Sequence, residues 1–134
     1  MDNMKFNYLY RDAGNYKKWA EMVFSNPDRL TVEATAKALR DAFLQDGLFI
    51  ANQVRLPEAF LFVEGDATSD DHCFHEFDVV EISFETPNDQ HARSISQFIA
   101  EVKRQAERGW MAFDPHDRPS QQISDQRLRP LPAP

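Results

Sequence analysis

Alternating polar and apolar residues near the start of the chain predict a β-strand. Within residues 4–11 every second side chain from Phe6 to Tyr10 is aromatic, and residues 12–15 have the composition of a turn. Residues 16–24 then form either a returning strand or a helix, because their apolar positions fit both spacings. We favour the strand, which makes the first element a β-hairpin.

A helical period follows the break at Asn26-Pro27-Asp28. Thr31 is placed to cap this first helix at its N-terminus, and Gly47 is placed to end it. Its core-facing stripe has the 3.6-residue spacing of an amphipathic helix and consists of Val32, Ala36, Leu39 and Phe43.

Two apolar runs, residues 48–54 and 59–64, predict two strands that are joined by a turn at Pro57. In the next strand the apolar residues occupy odd positions up to Phe77 and even positions afterwards. A strand with a period of two cannot change phase without an extra residue, so we predict a β-bulge near Asp78. With this bulge the core-facing side chains are Cys73, His75, Phe77, Val80, Ile82 and Phe84.

The second helix is predicted to start at Thr86-Pro87-Asn88-Asp89, with proline at its first position, and to end at Gly109. After it, Trp110, Met111 and Phe113 are expected to dock the chain onto the core. The apolar stripe of this helix consists of Ile95, Phe98, Ile99, Val102 and Ala106.

These elements predict an α+β fold in the order ββαβββα. We expect a two-layer sandwich, with two helices on a mostly antiparallel sheet of about five strands. Residues 1–113 form a single domain, and residues 114–134 form a flexible, proline-rich tail with little to bury.

The composition indicates where in the cell the protein is located and which class of partner it binds. The chain has one cysteine, no apolar run of membrane-spanning length and no signal-peptide pattern at its N-terminus, so a soluble cytoplasmic protein is expected. Its net charge of −7 is concentrated in residues 61–90, which contain nine acids and no lysine or arginine. No basic stripe is visible, which disfavours direct binding to nucleic acid.

The segment SDDHCFHEFD, residues 69–78, contains the chemistry of greatest interest. Cys73 and His75 lie two residues apart on a strand and would share one face, as zinc or another divalent metal requires. A third ligand would come from His72, Asp70 or Asp71, or from a distant histidine. Such a site would indicate a metal-dependent enzyme or a ligand sensor, although no paired Cys/His spacing supports it.

A thiol nucleophile is a second interpretation of the same segment. Cys73 would need His75 within hydrogen-bonding reach as its base, but the surrounding carboxylates oppose a thiolate. A small buried hydrophobe is the ordinary role of a single cysteine. The chain also contains no glycine-rich phosphate loop and no Ser-His-Asp set, which favours a binding protein over an enzyme.

The third interpretation is an acidic docking surface. Glu76, Glu81 and Glu85 are predicted to point outward from the strand, extended by the loop residues Asp70 and Asp71. Such a surface would capture a protein partner with a basic surface, as an inhibitor, an immunity or antitoxin-like protein or a complex subunit does. The alternatives are a solvated face and pairing with bases from elsewhere in the fold. Trp19 and Trp110 are expected in the core, with an exposed aromatic contact between identical chains as the alternative.

Overall fold

The computed structural model describes residues 2–62 and 66–117. Its regular elements, in chain order, are the strand β1 (Asn3–Arg11), the strand β2 (Lys17–Phe24), the helix α1 (Val32–Ala42), the short strand β3 (Leu48–Phe49), the strand β4 (His75–Ser83) and the helix α2 (Ile95–Arg108). Short 3-10 helices occupy Gln45–Gly47, Ala51–Val54 and Pro115–Asp117.

The strands form one curled, antiparallel sheet in the order β2-β1-β4-β3. The predicted hairpin is confirmed, with β1 and β2 paired from Met4 opposite Phe24 to Arg11 opposite Lys17. In its turn, the Asp12 side chain accepts a 2.9 Å hydrogen bond from the Tyr16 N–H, as polar turn residues commonly do.

The predicted bulge is also confirmed. Asn7 of β1 faces Val79 of β4 whereas the next residue, Tyr8, faces Phe77, so Asp78 is the extra residue. The bulge keeps apolar side chains on one face across the change of phase, because Phe77 and Val80 are both buried.

The prediction that Ile82 and Phe84 lie in the core is wrong. Ile82 is 40% exposed and Phe84 is 79% exposed. Ile82 lies opposite the buried Met4, but at this end of the sheet it lines an open cleft with Leu30. Phe84 follows the last residue of β4, so the sheet no longer determines which way its side chain points.

The structure has four strands in its described residues instead of about five, and the predicted order ββαβββα becomes ββαββα. Of the predicted strand 48–54 only Leu48–Phe49 pairs as a strand, because Ala51–Val54 forms a 3-10 helix that Arg55 ends with a positive φ of 58°. Residues 59–62 form no strand, and residues 63 and 64 lie outside the described residues.

The helix α1 begins as predicted, with the Thr31 hydroxyl accepting a 3.0 Å hydrogen bond from the Ala34 N–H. Its predicted end at Gly47 is wrong, because the helix stops at Phe43 and Gly47 lies in the following 3-10 turn. The predicted start of α2 at Pro87 is wrong as well. The cap is Ser94, which forms a capping box with Gln97.

The core is formed by even-numbered side chains of β1 and β2, by β4 and by both helices; its largest members are Phe6, Tyr8, Phe24, Phe49 and Phe98. As predicted, α2 ends at Gly109 and Trp110 docks on the core, where its indole N–H donates to the Ala42 carbonyl at 3.1 Å. Met111, which was expected to dock beside it, is 69% exposed. Trp19, which was expected inside, is 58% exposed.

Neither described helix is long and apolar enough to cross a bilayer. Most of the predicted tail, residues 118–134, lies outside the described residues.

Candidate functional site

The first half of SDDHCFHEFD is a loop that is tied to β1. The Asp71 carboxylate accepts a 2.6 Å hydrogen bond from the Tyr10 hydroxyl and a 2.8 Å bond from the Thr68 N–H. Burial alone would raise the pKa of Asp71, but the hydrogen bonds from Thr68 and Tyr10 outweigh it and the pKa is lowered. Asp71 is therefore an internal acceptor, whereas the neighbouring Asp70 is exposed.

His72 uses both of its ring nitrogens to join backbone segments. Its Nδ1 accepts a 3.0 Å hydrogen bond from the Phe74 N–H, and its Nε2 lies 2.7 Å from the Arg11 carbonyl oxygen. Because Nδ1 accepts and the carbonyl can only accept, the proton belongs on Nε2. His72 thus fixes the loop against the end of β1.

His75 is 1% exposed and lies among the aromatic rings of Tyr8, Tyr10, Phe49 and Phe60. Its Nε2 accepts a 2.8 Å hydrogen bond from the Ala59 N–H. That bond occupies the Nε2 lone pair, which a metal ion would otherwise use. His75 instead holds the segment after Pro57 against the strand β4.

Cys73 is also buried, at 2% exposure. Its Sγ lies 3.5 Å from the Phe113 backbone nitrogen, which donates a hydrogen bond to it. This contact attaches the segment after α2 to the strand side of the molecule. Burial of this kind suits a small apolar side chain better than a nucleophile that a substrate must reach.

Cys73, His75 and His72 are thus close in sequence but are engaged in separate structural contacts. Among residues 2–62 and 66–117, no group of three or more His, Cys, Asp and Glu side chains is arranged to hold a metal ion. His116, a more distant candidate, is exposed and contacts the Asp114 carboxylate at 2.7 Å.

The face of the sheet opposite the core carries the predicted acidic residues of β4. We call it the outer sheet face and define it by Lys5, Asn7, Arg11, Lys17, Trp19, Glu21, Glu76, Val79, Glu81 and Glu85. At one end, the Arg11 guanidinium makes two 3.1 Å hydrogen bonds to the two carboxylate oxygens of Glu76. Glu76 therefore has its counter-charge within the fold.

At the other end of the outer sheet face, three carboxylates surround Lys5. Its ammonium donates a hydrogen bond to Glu85 and lies 3.6 Å from the Glu21 carboxylate. Glu81 accepts a 2.9 Å hydrogen bond from the neutral Asn7 side chain. The hydrogen bond to Glu85 is the main reason that the pKa of Lys5 is raised, and the charges of Glu21, Glu85 and Glu81 add to it.

The predicted docking residues are therefore divided between two places. Glu76, Glu81 and Glu85 share the outer sheet face, whereas Asp71 is bound internally and Asp70 lies near Gly14 of the hairpin turn. The strand alternation identified the first three correctly as a group. The loop could not be placed from periodicity, because it has none.

The sequence reasoning missed an ion cluster around Arg93. Its guanidinium bonds the Asp89 carboxylate at 2.9 Å and Glu101 at 3.1 Å, and it donates to the Val54 carbonyl at 2.7 Å. The Arg93 and Asp89 side chains are 5% and 1% exposed. Asp89 and Arg93 are four residues apart, but both precede α2, so no helical period pointed to their pairing.

No family model, curated protein or solved structure matches the chain.

The candidate chemistry therefore rests on the residues themselves. The two histidines of the segment and its cysteine make contacts that hold the fold. The outer sheet face combines exposed carboxylates with exposed apolar side chains. Such an arrangement is suited to binding another macromolecule.

Proposed function

We propose that this is a small, non-catalytic cytoplasmic protein that binds a protein partner with a basic surface. The docking site is the outer sheet face, with Glu76, Glu81 and Glu85 as the contacting acids. An inhibitor, an immunity or antitoxin-like protein and a subunit of a larger assembly all fit this description.

One observation carries the proposal: three carboxylates on the outer sheet face share a single ammonium. Glu21, Glu81 and Glu85 surround Lys5, and all three side chains are exposed. Lys5 balances one negative charge, so this part of the face keeps an excess of two. A lysine or arginine from a partner would relieve the remaining repulsion, which chiefly increases the association rate and selectivity.

Exposed apolar side chains on the same face can supply binding energy in addition to the effect of the charges. Val79 is 45% exposed and lies opposite Asn7, two residues before Glu81 in the chain. Trp19 is 58% exposed and lies opposite Leu9 on the other side of β1. Tryptophan in particular often provides a large share of the binding energy at protein interfaces.

Site-specific photo-cross-linking tests where the partner docks. A photoreactive amino acid placed at Val79 reports on the outer sheet face, and one placed at the exposed Lys103 of α2 is the matched control. We expect a discrete cross-linked protein of basic composition from position 79 and none from position 103. Equal yields from both positions, or adducts from position 103 alone, would contradict docking through this face.

A further inference from the structure

The outer edge of the strand β2 is open over its first five residues, 17–21. The pairing of β1 with β2 leaves the N–H and C=O groups of odd-numbered β2 residues pointing away from β1. This direction is visible at Val23, whose N–H and C=O bond Asn88 instead of β1. Within the described residues, no hydrogen bond reaches the corresponding outward groups of Trp19 and Glu21.

The loop between β4 and α2 sets the limit of this open edge. The Asn88 side-chain oxygen accepts from the Val23 N–H at 2.8 Å, and the Asn88 N–H donates to the Val23 carbonyl at 3.0 Å. Asn88 thus occupies the position that a neighbouring strand would take. Only residues 17–21 remain available for pairing.

The sequence of the open edge, Lys17-Lys18-Trp19-Ala20-Glu21, is complementary to itself when it is read in the antiparallel direction. We propose that a second copy of this chain pairs with it, edge to edge, about a two-fold axis at Trp19. Lys17 of each copy then faces Glu21 of the other, and the two Trp19 side chains face each other. The interface is isologous, and each facing odd-numbered pair exchanges two backbone hydrogen bonds.

The side-chain directions support this register. Lys17, Trp19 and Glu21 are two residues apart and project from the outer sheet face, so both ion pairs and the tryptophan pair form on one side. Their exposure is compatible with this, since all three side chains are exposed in the single chain. Glu21 contacts Lys5 at 3.6 Å but remains 51% exposed and can be shared.

Neighbouring registers are less favourable. An axis at Lys17 would place the two Lys17 side chains opposite each other, and an axis at Lys18 would do the same with Lys18 on the other face. An axis at Glu21 or at Ala20 would require Val23 to pair, and Asn88 already covers it. The charge pattern and the covering loop therefore select the axis at Trp19.

This dimer goes beyond the proposed function and does not depend on it. It forms through the edge of β2, where Trp19 and Glu21 also belong to the outer sheet face, and it can be measured with the purified chain alone. A monomeric protein could still bind a basic partner, and a dimer could form without one.

Sedimentation velocity over a range of concentrations, with a set of charge variants, tests the proposal. We expect the wild type to dimerise, and Lys17→Glu and Glu21→Lys each to raise the dissociation constant about tenfold or more, because each places like charges opposite each other twice. The double variant Lys17→Glu/Glu21→Lys should dimerise again. An equimolar mixture of the two single variants should form a heterodimer, because every facing pair is then opposite in charge.

Lys18→Glu is the matched control, since Lys18 faces Ala20 of the second copy and should change dimerisation little. Circular dichroism of each variant confirms that it is folded. A wild type that stays monomeric up to millimolar concentration would overturn the proposal. It would indicate that Lys17 and Lys18 prevent other strands from pairing with this edge. If neither Lys17→Glu nor Glu21→Lys changes the dissociation constant of the dimer, the contact lies elsewhere and the proposal is equally overturned.

Discussion

The backbone N–H of Ala59 donates a 2.8 Å hydrogen bond to Nε2 of His75, whose side chain is 1% exposed. The residue that the sequence singled out as a metal ligand or a catalytic base is thereby a buried acceptor for the backbone. It holds the segment after Pro57, which has no strand of its own, against β4.

Replacing His75 by phenylalanine should destabilise the fold. His75→Phe keeps an aromatic ring but leaves the buried Ala59 N–H without this acceptor, so we expect the free energy of unfolding to fall by about 1–3 kcal/mol. Urea denaturation followed by circular dichroism measures it. His91→Phe, at an exposed position, is the control and should change little. Equal stability of His75→Phe and the wild type would refute this role.

Removal of metal should leave the protein unchanged. Both nitrogens of His72 and the Nε2 of His75 are already engaged, and among the described residues no group of three or more His, Cys, Asp and Glu side chains is arranged to hold a metal ion. We expect the same thermal midpoint with EDTA, with added zinc and in plain buffer. A midpoint that EDTA lowers in the wild type but not in Cys73→Ala would instead support the metal interpretation.

Deleting Asp78 should be tolerated better than deleting Glu81. Asp78 is the extra residue of the bulge, so its removal leaves Phe77 and Val80 on the core face. Removal of Glu81 would shift the residues after it to the opposite face. Circular dichroism and thermal melting of the two deletion variants compare them. Greater loss of structure in the Asp78 deletion would contradict this account of the bulge.

The cluster around Arg93 should make stability fall in acid. Burial would raise the pKa of Asp89, but the hydrogen bonds and charge of Arg93 lower it below the usual 3.8. Hydrogen bonding to Arg55, opposed by burial and aided by the charge of Arg93, lowers the pKa of Glu101 below 4.5. Because both folded pKa values are depressed, this stabilisation is complete above about pH 4.5 and is lost as pH falls through the folded values.

Urea denaturation between neutral pH and pH 3 tests this dependence in the wild type and in Arg93→Met. The variant leaves two carboxylates in the cluster without their buried partner, so it should lose about 3–5 kcal/mol at neutral pH and show a flatter acid dependence. Arg93→Lys should lie between the two. Lys37→Met, which breaks an exposed pair, should leave the slope unchanged. An unchanged slope in Arg93→Met would rule the cluster out as its source.

Features that depend on a few neighbouring residues were predictable from the sequence. The β1–β2 hairpin, the Thr31 cap, the bulge at Asp78 and the end of α2 at Gly109 all follow from local periodicity or cap chemistry. The Ser94 and Gln97 capping box was equally visible, but Pro87 led to a predicted first helical residue that lies eight residues before the observed one, Ile95.

Features that depend on tertiary contacts were not predictable. The run from Leu48 to Val54 is apolar because it is mostly buried, and burial alone cannot distinguish a strand from a 3-10 turn. The counter-charges of Glu76 and Glu85 come from Arg11 and Lys5, which lie more than sixty residues away in the chain. The negative charge of the acidic segment is therefore partly balanced in the fold, and the remaining excess of negative charge lies around Lys5.

Charge reversal at Glu81 tests the docking proposal most directly. Glu81 bonds only the neutral Asn7 among the described residues, so Glu81→Lys changes the charge of the outer sheet face without breaking an ion pair of its own. Capture of the partner that cross-links at position 79 is measured at several salt concentrations, with Glu107→Lys on α2 as a control of equal charge change. We predict that Glu81→Lys weakens capture and flattens its salt dependence while Glu107→Lys does neither; equal capture by both variants and the wild type would contradict the account.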